Sequence, residues 1–139
     1  MNAIILLLSA VLQIASPSEP GQRLMLTGHV FGPDGKPRAG IEMRVWHTDA
    51  QGLYHPGPGD APPRLQGTLR TAADGSYAID TIKPAPYPGH RNREHMHFKI
   101  GDQTETIFFD GGPASVPLTR DAKGVLHGTH DFHLRGGAK

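Results

Sequence analysis

Two histidines, His95 and His97, stand two positions apart at the start of a segment that alternates in polarity. Side chains at positions i and i+2 of a β-strand lie on the same face, about 6.6–6.8 Å apart along the backbone. Two imidazoles at this spacing can bind one metal ion, while Met96 and Phe98 face the core. A His-x-His pair is also common on an ordinary exposed strand face. The motif by itself therefore leaves a metal site and a solvated surface as alternatives.

Two of the three tyrosines lie in irregular segments, where a role in the core is less obvious. Tyr54 follows a turn after the segment that contains Trp46, and Tyr87 stands between Pro86 and Pro88. Tyr54 as an aromatic lid on the edge of the fold, and Tyr87 as part of a turn packed on the core, are the alternatives to metal binding.

Five further histidines have weaker interpretations. His55 and His90 lie near these tyrosines in the chain, and either is a candidate adventitious ligand or proton relay. We expect His127, His130 and His133 to lie on a solvated strand end rather than in a second metal site, because His130 and His133 have opposite strand parity.

The elements that must position these residues are predicted to be short strands. The 18 glycines and 13 prolines among 139 residues argue against long helices. Period-two alternation and turn signals predict strands at 24–31, 41–47, 65–71, 77–82, 95–100, 105–109 and 130–134. Irregular loops are expected at 55–63 and 83–93. The pattern predicts an all-β fold, a single antiparallel β-sandwich of about seven to nine short strands.

Composition excludes several functional classes. The chain of 15.0 kDa has room for one domain. It has no cysteine, which excludes a disulfide scaffold, Cys-ligated zinc, an iron–sulfur cluster and a thiol nucleophile. The net charge is +1, and Lys and Arg form no basic block that would indicate a nucleic-acid partner.

The N-terminus predicts export. Residues 3–15 are almost entirely apolar, too short to span a bilayer and of the right length for a signal peptide. We expect a signal peptide at 1–15, a linker at 16–23 and the sandwich domain at 24–139. The protein would then work in the periplasm or outside the cell, away from the membrane once processed. An uncleaved anchor, or a wrongly assigned start site, is the alternative.

Six segments occur in an order that is specific as a set. They are GHVFGPDGKPRAG at 28–40, Val45-Trp46, Gly52-Leu53-Tyr54, TAADGSY at 71–77, TIKPAPYP at 81–88 and HMHF at 95–98. As a set they resemble the catalytic domain of the intradiol ring-cleavage dioxygenases, nearest the protocatechuate 3,4-dioxygenase branch.

The resemblance implies one non-haem Fe(III) ion held by Tyr54, Tyr87, His95 and His97. Phenolate is a hard anionic ligand that suits Fe(III), and imidazole suits iron in either state. The implied substrates are O2 and a small catechol or protocatechuate, cleaved between the two hydroxylated carbons to a cis,cis-muconate-type product. Tyr87 is implied to leave the metal and take a substrate proton. Relatives also form hetero-oligomers, so a homo- or hetero-oligomer is expected.

The chain departs from the family pattern around the substrate. Asn92 stands where the family has an arginine, flanked by Arg91 and Arg93, and Thr106 stands where the family has a glutamine. A one-residue shift of the backbone would bring Arg93 to the substrate ring, and without that shift Asn92 takes the place. Arg91 and Arg93 as solvated loop charges are the alternative. We therefore count Tyr87, Arg93 and Asn92 as the predicted catalytic residues.

Two other functions fit parts of the sequence. A non-catalytic transthyretin-like or carboxypeptidase-regulatory-like sandwich would share the strand and turn pattern without any metal. An iron site without turnover would make the chain a catechol-binding or siderophore-binding protein.

Overall fold

The fold consists of short strands joined by turns. The computed structural model describes residues 11–89 and 93–136, and in those ranges every regular element is a strand. In chain order the strands are β1 (Leu12–Gln13), β2 (Arg23–Phe31), β3 (Glu42–His47), β4 (Leu65–Arg70), β5 (Ser76–Ile82), β6 (His95–Ile100), β7 (Gln103–Phe108), β8 (Thr119–Arg120), β9 (Leu126–Thr129) and β10 (Phe132–His133). The predicted all-β class is confirmed. The described residues contain no helix that could cross a membrane.

The strands form two sheets. The first has the order β1-β5-β2-β9-β8, with β10 also paired to β2. The second has the order β4-β3-β6-β7 and is antiparallel throughout. Its register places Trp46 opposite His97, and His97 opposite Thr106. These three residues therefore form one row across three neighbouring strands.

Alternation of side chains explains where the core lies. In β2 every second residue is buried, and in β6 Met96 and Phe98 are fully buried. Phe98 packs on Phe132 across the core, with ring centroids 4.7 Å apart. Because neighbouring side chains in a strand point to opposite faces, the burial of Met96 and Phe98 directs His95 and His97 out of the core.

The C-terminal strands differ from the prediction. One strand was expected at 130–134, but β9 ends at Thr129 and the short β10 begins at Phe132. β9 contains Gly128, where an added Cβ would lie only 2.8 Å from the Leu118 side chain. Glycine is a weak strand former, so its place here reflects close packing against a neighbour that the local pattern does not reveal.

The segment before β2 is attached to the first sheet. β1 pairs in parallel with β5, and Ala15 is fully buried. The Arg23 guanidinium donates hydrogen bonds to the carbonyl oxygens of Ala15 (3.0 Å) and Ser16 (2.6 Å) and to Asp80 Oδ1 on β5 (2.8 Å). Residues 12–15 of the predicted signal peptide thus lie against the sandwich, while 1–10 lie outside the described residues; the cleavage position stays a prediction.

Candidate metal centre

Four side chains predicted to bind metal converge at one end of the second sheet. The Tyr54 and Tyr87 hydroxyl oxygens are 2.7 Å apart. Tyr87 Oη lies 3.1 Å from His95 Nε2, and Tyr54 Oη lies 3.1 Å from His97 Nε2. Two phenol oxygens and two imidazole nitrogens therefore form one continuous chain of contacts.

The two histidines are held by β6 and its neighbours. The His97 ring stacks on Trp46 of β3, with centroids 5.3 Å apart and an interplanar angle of 19°. Arg44 in turn covers Trp46, with its guanidinium carbon 5.2 Å from the ring centroid. On the other side, Thr106 Oγ1 of β7 lies 3.4 Å from His97 Nδ1. The sheet register thus fixes the plane of the His97 ring before any metal binds.

The tyrosines reach the site from two irregular loop segments, 48–64 and 83–89. Gly52 in the first loop has φ +82°, and a Cβ at this position would overlap the Pro86 carbonyl oxygen of the second. Only glycine allows both the left-handed backbone and this close approach. This close contact lets the two loop segments pack directly on each other, with Tyr54 beside Tyr87.

In the metal-free site, the hydrogen-bond partners show which atom of each pair donates the proton and which accepts it. His95 Nδ1 lies 2.6 Å from the Arg93 carbonyl, which can only accept, so Nδ1 carries the proton and Nε2 accepts from Tyr87. Tyr87 Oη then accepts from Tyr54, and Tyr54 Oη accepts from His97 Nε2. His97 Nδ1 is left to accept from the Thr106 hydroxyl. All the hydrogen bonds in this series of contacts, from Thr106 through His97, Tyr54 and Tyr87 to His95, can therefore form with every side chain neutral.

Burial favours these neutral forms. Desolvation, followed by the hydrogen bond to Tyr87, raises the pKa of the Tyr54 phenol above its ordinary value. Desolvation, followed by repulsion from His95, lowers the pKa of His97. A metal cation that replaces the phenol protons would offset the cost of burying the charged phenolates. Phenolate and neutral imidazole are both good metal ligands.

The donor set suits a hard, highly charged metal ion. The described residues contain no cluster of three or more His, Cys, Asp or Glu side chains that could hold a metal. Beside His95 and His97, the phenol oxygens of Tyr87 and Tyr54 are donors within 3.1 Å of the imidazole nitrogens. A combination of two phenolates and two imidazoles fits Fe(III).

Comparison with known proteins identifies the family. Residues 9–106 match the sequence model of a family described as dioxygenase, which is most of the chain. Catechol 1,2-dioxygenase 2 of Acinetobacter lwoffii is 32% identical over 119 residues, or 69% of this chain and 43% of that protein. The protocatechuate 3,4-dioxygenase beta chain of Burkholderia cepacia is 34% identical over 110 residues, or 67% and 47%. The chain belongs to the intradiol dioxygenase family.

Family membership confirms the resemblance drawn from the motifs, and the structure agrees. The dioxygenase domain of a dioxygenase–carbohydrate-binding protein fusion from Streptomyces sp. SirexAA-E superposes with a TM-score of 0.73 at 29% identity, covering 90% of this chain and 88% of that one. Relatives from both the catechol and the protocatechuate branches match. The chain spans less than half the length of the two curated relatives named above.

Within the candidate site, Arg93 occupies an unexpected place. Its guanidinium forms a two-point ion pair with Asp110 (2.8 and 3.1 Å) and lies 3.9 Å from the centroid of the Phe108 ring. Its carbonyl, not its side chain, contacts the candidate ligand His95. Asn92 lies outside the described residues. A substrate contact by either residue stays a prediction.

An open cleft leads to the candidate ligands of this family member. It has a volume of about 560 Å³, and its walls include Leu53, Tyr54, His55, Tyr87 and Pro88. A smaller cleft of about 340 Å³ adjoins it at Tyr54 and His55. None of the described residues that line either cleft is Lys or Arg. The described walls of the two clefts are mostly apolar and aromatic, with the half-buried His55 at their junction and Asp60 in the wall of the smaller cleft.

Two contributions to the site were not anticipated from the sequence. Asp110 directs the Arg93 side chain, and Trp46 supports the His97 ring. The alternation of buried Val45 with Trp46 is a signal that could have placed Trp46 on the same face of the sheet as His97. No local signal joins Asp110 to Arg93, which is 17 positions away.

Proposed function

We propose that this chain is a non-haem Fe(III) dioxygenase that cleaves a catecholic ring between its two hydroxylated carbons with O2 and forms a cis,cis-muconate-type product. The observation that carries the proposal is the contact chain from His97 through Tyr54 and Tyr87 to His95. Membership of the intradiol dioxygenase family supports it over a metal-free sandwich module.

Tyr54, Tyr87, His95 and His97 would hold the ferric ion, which supplies a Lewis acid that polarises the catechol oxygens when it is bound. The Tyr87 oxygen would accept a proton from a catechol hydroxyl. In support, the tyrosine lies on an irregular segment at the wall of the cleft. Around these groups the chain supplies orientation: the Arg93 carbonyl fixes the His95 ring. Leu53 and Pro88 would give the substrate ring an apolar surface to pack on at the wall of the cleft.

The lining of the cleft supports a neutral catechol as the preferred substrate. A benzoate-type substrate such as protocatechuate carries a carboxylate, which is best bound by a positive side chain. The described walls of the cleft include no Lys or Arg, and the Arg93 guanidinium is already paired with Asp110. We therefore propose that kcat/KM for catechol exceeds that for protocatechuate, measured as O2 uptake under matched conditions.

The test of the reaction is iron loading followed by product analysis. Protein loaded with Fe(III) should show a visible tyrosinate-to-iron charge-transfer band, consume O2 when catechol is added, and release muconate identified by mass spectrometry. His97→Ala should lose the band and the turnover yet stay folded, because the ring faces away from the core. His127→Ala is the matched control, since His127 is exposed and paired with Asp121.

Each result separates one function from the others. A coloured protein that binds catechol without consuming O2 would indicate an iron site without turnover. A colourless wild-type protein that holds no iron would contradict the proposal and favour the non-catalytic sandwich. Retention of the full band in His97→Ala would remove His97 from the ligand set.

We also propose that the chain is exported, on the basis of the apolar residues 3–15. Cell fractionation with intact-mass measurement of the mature protein tests this. Protein found only in the cytoplasm with residue 1 still attached would refute it.

A further inference from the structure

The loop that presents Tyr54 is fixed by two residues at its base. The Arg64 amide donates a 2.7 Å hydrogen bond to the Tyr54 carbonyl. The Asp49 amide donates to the Leu53 carbonyl (2.9 Å), and Asp49 Oδ1 accepts from the Leu53 amide (3.0 Å). Because loop 48–64 contains no strand or helix, the position of the Tyr54 backbone depends on these bonds.

The side chains of the same two residues are joined by a third one from outside the loop. The Arg64 guanidinium lies 2.7 and 2.8 Å from the two carboxylate oxygens of Glu19, and 3.3 Å from Asp49 Oδ2. The Glu19 and Asp49 side chains are only 11% and 14% exposed. The hydrogen bonds from Arg64 hold the pKa of Glu19 below its ordinary value, so its carboxylate stays charged. A two-point contact of this kind fixes the guanidinium in orientation as well as position.

Glu19 is itself held in place by the first sheet. Its amide donates to the Ser16 carbonyl (3.0 Å), and the same carbonyl accepts from the Arg23 guanidinium, which is paired with Asp80 of β5. A continuous set of polar contacts therefore runs from β5 through Glu19 and Arg64 to the loop of Tyr54. We call this set the Glu19 brace.

We propose that Glu19 is a positioning residue for Tyr54, acting through Arg64 to hold the phenol oxygen at the candidate metal site. Without the Glu19 carboxylate, the Arg64 guanidinium keeps only Asp49 as an ion-pair partner, and the loop loses its ion-pair link to the segment before β2. The contacts of the loop with Ala85 and Pro86 remain, but they hold Tyr54 Oη beside Tyr87 Oη less firmly. The link to iron rests on the proposed function, whereas the link to the loop does not.

The test compares Glu19→Gln with Glu42→Gln. The control removes a similar carboxylate–arginine pair, Glu42 with Arg70 at 3.2 Å, on an exposed part of β3 and β4. In the iron-free protein, amide hydrogen exchange followed by NMR reports directly on the hydrogen bond from Arg64 to Tyr54. In the iron-loaded protein, the rate of iron release to a chelator and the tyrosinate band report on the ligand.

We expect Glu19→Gln to speed exchange of the Leu53 and Arg64 amides at least about fivefold. We also expect about tenfold faster iron release and a shifted band, as is usual when a contact that orients a metal ligand is lost. Glu42→Gln should leave all three as in the wild type. Because Glu19 acts through Arg64, adding Glu19→Gln to Arg64→Ala should produce no further change.

Different failures are distinguishable. Wild-type exchange and wild-type iron release in Glu19→Gln would overturn the proposal, even if the melting temperature falls, because Glu19 would then have a purely structural role. Additive effects of the two substitutions would overturn the route through Arg64. A wild-type protein that binds no iron would defeat the proposed function, while the exchange data still decide whether Glu19 holds the loop.

Discussion

Acid should destabilise this protein through a single buried histidine. His47, the last residue of β3, is fully buried, and both ring nitrogens are hydrogen-bonded. Nδ1 donates to the Thr48 carbonyl at 2.7 Å, so Nε2 carries no proton and accepts from the Thr81 hydroxyl at 2.7 Å. The neutral ring is thus satisfied, and a second proton has no acceptor in this arrangement.

The magnitude follows from the pKa of this histidine in the two states. Desolvation, only partly offset by the hydrogen bond to the Thr48 carbonyl, lowers the pKa of His47 from 6.5 to about 4. Because the folded pKa is the lower one, protons bind the unfolded chain more tightly. The stabilisation is present above about pH 6.5 and is lost as the pH falls towards 4. The loss by pH 4 is about 3 kcal/mol of unfolding free energy.

Urea unfolding of the wild type and of His47→Gln at pH 7 and pH 4 measures this loss. Glutamine can donate and accept at the same place but does not titrate. We expect the wild type to lose about 3 kcal/mol more than the variant between the two pH values, since other titrating groups are shared and cancel. A difference between the two proteins that is the same at both pH values would refute the argument that His47 is buried in its neutral form.

Three other perturbations have clear expected outcomes. Gly52→Ala should lower the unfolding free energy by about 1–3 kcal/mol more than Gly57→Ala, measured by thermal or urea unfolding. Both glycines have φ +82°, but only a Cβ at Gly52 would meet a facing carbonyl oxygen. Equal losses in the two variants would contradict the close contact. Arg93→Gln should leave the ratio of kcat/KM for catechol to that for protocatechuate unchanged, since its guanidinium is already paired; a selective loss for protocatechuate would show that it binds substrate. Thr106→Val should speed iron release up to about tenfold by removing the partner of His97 Nδ1; release at the wild-type rate would mean that the threonine does not orient the ring.

Much of the fold was predictable because its pattern is local. Alternating burial in β2, β3 and β6 follows the alternation of residue types, and the glycine-containing turns predict where these strands end. The same parity predicts that His95 and His97 share a face, as they do. The convergence of Tyr54 and Tyr87 on those histidines was expected from the family resemblance, since no spacing rule relates two irregular loops.

What the sequence did not reveal depends on contacts between distant residues. The direction of the Arg93 side chain is decided by Asp110, and the place of Glu19 by Arg64, 45 positions further along the chain. A segment rich in Ser, Pro and Glu is typical of a linker, so nothing local indicates that residues 16–23 support the site. Similarly, β9 was missed because Gly128 weakens its strand pattern while satisfying a packing requirement set by Leu118.

The position of β2 has a consequence for how the chain folds. β2 lies between β5 and β9, and its contacts with β9 join residues as far apart as Thr27 and Thr129, separated by 102 positions. Contacts this distant slow folding, because a long loop must close before they form. The second sheet, by contrast, is complete once Phe108 has been synthesised. During synthesis the strands of the second sheet can pair with one another while the edge of β2 that will contact β9 still has no partner. An unpaired strand edge favours pairing with another chain. Aggregation of nascent or C-terminally shortened chains should therefore arise from the first sheet rather than from the one that carries the candidate metal centre.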